Sequence, residues 1–129
     1  TVGTNAEVNG GGAGHKYLCY LFAEDEDNIK CGYYDSTGST GNAINVGFEP
    51  QWLLVKAVDQ AGGWSVLDSE RGLTEQLSVE SNAAAGAVTS GNIVFTSTGF
   101  TLNTAGWING TDGYGQSVRY IYVAIKKED

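Results

Sequence analysis

At 129 residues, with 41% hydrophobic side chains, three tryptophans, seven tyrosines, four phenylalanines, 19 glycines and a single proline, the chain has the profile of one turn-rich β domain around one core. Seven basic residues against 15 acidic ones leave a net charge of -8, a surface that repels phosphate backbones and anionic lipid, so nucleic acid is excluded as an expected partner. No run of apolar residues is long enough for a membrane-spanning helix, and membrane insertion is not expected.

Residues 1–15 read as a glycine-rich lead and 16–129 as a single β-sandwich domain. The start, "TVGTNAEVNGGGAG", has neither the basic region nor the apolar core of a signal peptide; a first residue Thr1 and no methionine read as a processed product, a fragment or a domain cut from something larger. From Lys16 to Glu24, "KYLCYLFAE" is apolar on both faces, as expected of a central strand covered on both sides. "DEDN" then turns the chain and "IKCGYY" returns it. Pairing about a turn centred near Asp25 would set Cys19 roughly opposite Cys31, and two readings are open there: a disulfide, or two buried thiols.

"STGSTGN", Ser36 to Asn42, reads as a flexible loop with nothing to bury. "QWLLVKAVD" follows as a buried strand, one face wholly apolar and the other nearly so, with Trp52 in the core. "QAGG" is a hairpin turn into the strand "WSVLDS". Glu75 to Ser90 carries no clear periodicity and reads as loop. "NIVFTSTGFTLN" is a hairpin around Thr98 and Gly99, and "SVRYIYVAIKK" a closing strand. Eight or nine short strands at this spacing predict an all-β, antiparallel sandwich of jelly-roll type.

The chemistry-bearing residues are sparse. The only histidine, His15, sits in the glycine lead with no partner indicated by spacing, and no nucleophile elbow, phosphate loop or zinc pair is present, so no catalytic residues, no cofactor and no enzyme activity are expected. The acid run around Asp25 and Asp27 offers oxygen ligands to calcium but lacks EF-hand spacing, and such a run is usually a solvated turn. Asp68 and Arg71, at the end of a strand and just before Gly72, read as a structural pair pinning a corner. Aromatics beside polar loops, Tyr33, Tyr34, Trp64, Trp107 and Tyr114, are the candidates for binding a ligand or partner. Flat rings next to Asn, Asp and Gly suit both the rim of a sugar site and a protein interface.

The order "GFEPQWLLVK", "WSVLDSERG", "FTSTGFTL" and a closing "NG…YIYVAI" resembles an uncharacterised domain family of tailed-bacteriophage virion proteins, which occurs beside lectin-like sandwich domains; the likeness runs from Tyr17 to Ile125. The resemblance implies a non-enzymatic structural or adhesive module of the virion, in a tail fibre or capsid decoration, whose partners are other virion proteins or copies of itself. Gly47, Phe48, Pro50, Trp52, Lys56, Trp64, Asp68, Arg71, Gly99 and Phe100 match the family pattern and read as architecture. The departures are Cys19 and Cys31, where the family has a small residue and an aromatic, and they favour the disulfide.

Two alternatives stand beside this expectation. One is a carbohydrate-binding domain that recognises host surface glycans. The other is a repeat subunit of an extracellular filament: "HKYLCYLF" near the start resembles "VRYIYVAI" near the end, so Thr1 to Phe22 is expected to contact another subunit or a preceding domain.

Overall fold

The computed structural model describes Cys19, residues 21–79 and residues 81–128; the glycine-rich lead, His15 and most of the expected first strand lie outside them. Among the described residues there are nine strands: β1 (Ile29–Asp35), β2 (Asn42–Asn45), β3 (Pro50–Ala57), β4 (Trp64–Asp68), β5 (Glu75–Ser78), β6 (Gly86–Ala87), β7 (Ile93–Thr96), β8 (Gly99–Leu102) and β9 (Arg119–Lys126), with one 3-10 turn at Trp107–Asn109. All pairings are antiparallel. They form a six-stranded sheet, β1-β9-β3-β4-β5-β6, and a three-stranded sheet, β2-β8-β7.

Period-two alternation puts Leu53, Val55 and Ala57 of β3, and Tyr120, Tyr122 and Ala124 of β9, on the side facing the small sheet, which contributes Ile93, Phe100 and Leu102. The centre is aromatic. Tyr34 stacks on Tyr120 at 5.3 Å, and Phe100 meets Tyr34 and Tyr122 edge-on at 5.9 and 5.7 Å. Gly99 explains the glycine of "STGF": a Cβ there would lie 2.0 Å from the Ile44 carbonyl oxygen, so β2 approaches β8 more closely than a side chain permits.

Asn109 closes one end of the fold. Fully buried, it donates through Nδ2 to Ser39 O and Thr104 O at 2.8 Å and to Thr37 Oγ1 at 3.3 Å. Its Oδ1 accepts from Thr37 N and Asn42 Nδ2 at 3.0 and 2.8 Å. "STGSTGN" is therefore pinned rather than free, with Ser36 buried and bonded to Val118 N. A polar loop sequence conceals this because its partner is 67–72 residues away.

Three further expectations need correction. Glu75 to Ser90 is not all loop: it holds β5 and β6, whose four and two residues are too short to show a period and are fixed by pairing, β5 to β4 and β6 to β5. The described part of Lys16–Glu24 is not a covered strand. Leu21, Phe22, Ala23 and Glu24 are exposed and outside any strand, Leu21 at 92%, and the one strand partner of β1 among the described residues is β9. Trp52 is outside the core cluster and half-buried on the other face of β3.

Gly99→Ala is expected to cost about 3 kcal/mol, because the Ile44 carbonyl belongs to a paired backbone that cannot yield. Gly113→Ala, with open space around its Cβ, should change stability by less than about 0.5 kcal/mol. Urea unfolding of the two variants beside the parent checks the contrast; equal stabilities would show that β2 and β8 do not approach as described.

Candidate functional site

The face of the six-stranded sheet that turns away from the small sheet is the unusual surface of the molecule. A sandwich normally presents polar side chains there. Here the antiparallel register aligns apolar residues in rows across the strands. One row runs Tyr33, Ile121, Lys56, Trp64 through the pairs Tyr33↔Ile121, Lys56↔Ile121 and Lys56↔Trp64. The next runs Cys31, Val123, Leu54, Val66, Leu77. The third holds Ile29, Ile125, Trp52 and Asp68.

The first row is the open one: Tyr33 is 62%, Ile121 43% and Trp64 37% exposed. At its margin the Arg119 guanidinium lies 4.5 Å above the Tyr33 ring and bonds the Asp35 carboxylate through Nε and Nη2 at 2.8 and 3.1 Å. Those hydrogen bonds hold the Asp35 carboxyl below its ordinary range. The pair fixes the Tyr33 ring at the edge of the sheet, so the row is a set surface with a charged border.

At the far end, Asp68 of β4 is buried and Trp52 of β3 lies directly across from it. Oδ1 of Asp68 accepts from Arg71 N at 2.8 Å, Oδ2 accepts from Arg71 Nε at 2.7 Å, and Arg71 Nη2 bonds the same oxygen. Burial alone would raise the Asp68 carboxyl, but the backbone and side-chain hydrogen bonds from Arg71 outweigh it and leave the carboxyl below its ordinary value. The strand end, the turn and Gly72 at φ +89° let Arg71 fold back over its own corner.

A family model matches residues 1–128, that of a domain of unknown function, DUF7483. The chain belongs to that family. No curated protein and no solved structure matches it. In this DUF7483 domain the five aromatic candidates are not brought together. Tyr33 and Trp64 share the exposed row, whereas Tyr34 is a core residue whose hydroxyl donates to Ile108 O at 2.7 Å, because alternation along β1 turns it inward. Burial pushes its phenol far up. Trp107 is half-buried beside the core, and its indole Nε1 donates to Gln76 Oε1 at 2.9 Å. Tyr114 stands 91% exposed in the loop before β9.

Cys19 and Cys31 are both free thiols. The Asp25↔Ile29 bridge closes the turn, but Leu21 to Glu24 form no strand beside β1, whose strand partner among the described residues is β9, so no paired ladder sets Cys19 opposite Cys31. Asp25 and Asp27, the weak calcium candidates, lie in the exposed turn before β1. The Asp25 carboxylate accepts from Asp27 N and Asn28 Nδ2 at 3.1 and 3.0 Å, a local turn bond, and no metal-ligating cluster of three or more side chains forms among the described residues. Sequence reading missed Ile121 as an exposed residue, and Leu54, Val123 and Ile125 as half-buried residues of the same face. The signal is present in the two apolar faces of "QWLLVKAVD" and "RYIYVAIK", because an apolar face suits a contact surface as well as a covered one.

Arg71→Ala should destabilise by about 1–2 kcal/mol, less than a fully buried pair would lose, since Arg71 is 38% exposed and the backbone donor to Asp68 remains. A carboxyl depressed on folding contributes stability above its unfolded value, near pH 4, and loses that contribution as pH falls through the lower folded value. The gap between parent and variant is therefore widest at neutral pH and closes below about pH 4. A gap independent of pH in urea titrations would assign the effect to packing of the arginine stem.

Proposed function

We propose that this domain is a non-enzymatic structural and adhesive module of a phage particle, in a tail fibre or capsid decoration, working by oligomerisation and surface contact through the outward face of its six-stranded sheet. The observation that carries the reading is the aligned row Tyr33, Ile121, Lys56, Trp64, a side of the sheet that would be polar in an isolated sandwich. Aromatic rings at the two ends of the row, an aliphatic side chain between them and the Arg119–Asp35 pair at the margin make up the composition of a contact surface.

The virion assignment, with its partners and location, rests on the motif resemblance from Tyr17 to Ile125. The sheet face adds the surface by which such a module would pack against other virion proteins or copies of itself. The jelly-roll description of the sandwich belongs to the same reading; the return of β9 to lie between β1 and β3 supports it, and the sequential run β3-β4-β5-β6 is its departure from that plan.

Sedimentation velocity at increasing concentration tests the proposal. The parent chain should associate, and Tyr33→Ala combined with Trp64→Ala should weaken association at least tenfold while the melting temperature falls by only a few degrees. A parent that stays monomeric at about 100 μM, or an alanine pair that associates like the parent, would count against the sheet face as the working surface.

A further inference from the structure

A second site lies on the core-facing side of β5, independent of the outward sheet face. A cavity of about 250 Å³ is lined by Gln76, Ala87, Val88, Thr89, Asn92 and Trp107. Gln76 is on the inner side of its strand, because its neighbour Leu77 pairs with Val66 on the outer face. A glutamine in a position that alternation assigns to an apolar side chain is itself unusual.

Trp107 has a second peculiarity. It is the one non-glycine residue with positive φ among the described residues, at +54°, a conformation that a bulky side chain occupies only under constraint. The constraint is visible. Tyr120 Oη donates to Trp107 O at 3.1 Å, Tyr34 Oη donates to Ile108 O, and Asn109 is held by its five hydrogen bonds. Three consecutive residues are thus clamped so that the indole stands against the cavity. The indole N–H, by donating to Gln76 Oε1, fixes the orientation of the Gln76 amide.

We infer that this cavity binds one ring of a neutral sugar. The lining supplies an aromatic plane and the amides and hydroxyl of Gln76, Asn92 and Thr89, and it contains no charged side chain although the molecule carries 22 acidic and basic residues, 15 and seven. Amides and a hydroxyl pair with sugar hydroxyls, and an indole covers the apolar face of a pyranose. An anionic or cationic ligand would be left without a counter-charge. The volume falls just below the ~300 Å³ at which sites for drug-sized ligands begin, which suits a single ring rather than an oligosaccharide.

The test uses glucose, galactose and N-acetylglucosamine as neutral probes and glucuronic acid as the charged one. Saturation-transfer NMR reads binding, and the indole N–H resonance of Trp107, identified by its loss in Trp107→Phe, reads the place. At least one neutral probe should bind at about 1–10 mM, the range for so small a ligand, and shift that resonance. Gln76→Ala and Asn92→Ala should each weaken binding at least tenfold with the circular dichroism spectrum unchanged; if either fails to fold, Thr89→Val takes its place. No neutral binding up to about 50 mM overturns the inference. So does binding that these variants leave intact, or binding of glucuronic acid alone.

Discussion

A six-stranded sheet with two apolar faces is packed against a sheet of only three strands, and the rest of the structure follows from that mismatch. β3 and β9, adjacent at its centre, carry apolar side chains in both directions: Leu53, Val55, Tyr120 and Tyr122 toward the small sheet, Leu54, Trp52, Ile121 and Val123 away from it. The inner face is satisfied by the aromatic packing of Tyr34, Tyr120, Tyr122 and Phe100. The outer face has no second sheet among the described residues, and apolar surface in rows of this kind favours association.

The polar groups of the fold serve to hold these layers in place. Asn109 ties the loop before β2 to the loop before β9 with all of its hydrogen-bonding capacity, which fixes one end of the sandwich and clamps the Trp107 turn. The Asp68–Arg71 corner does the same at the end of β4, and the Arg119–Asp35 pair braces Tyr33 at the edge of β1. A net charge of -8 opposes contact between copies over the rest of the surface.

Much of this was legible in the sequence where the signal is local. Alternation in "QWLLVKA" and "RYIYVAIK" defines β3 and β9, "STG" marks the β7–β8 turn, and the spacing of Asp68, Arg71 and Gly72 describes a corner in which the side chains do meet. What was not legible depends on distant partners. The turn closes with a single Asp25↔Ile29 bridge and no strand runs back from it through Leu21 to Glu24, which leaves Cys19 and Cys31 as free thiols. β5 exists because β4 lies beside it and β6 because β5 does, and Tyr34 differs from Tyr33 only by the parity of one strand. Composition also could not tell that an apolar face has no second sheet over it among the described residues, since a buried face and a contact face use the same residues.

Neighbouring residues on one strand give the most direct test of the central claim, that one face of the large sheet folds the domain while the other meets partners. Lysine at position 122, on the inner face, and lysine at position 121, on the outer face, differ by one step along β9. Thermal unfolding and sedimentation of both variants should show Tyr122→Lys failing to fold, and Ile121→Lys melting within about 1 kcal/mol of the parent but no longer associating. Equal loss of folding in both would contradict the account, because it would mean that the outward face is as necessary to this domain's own core as the inward one.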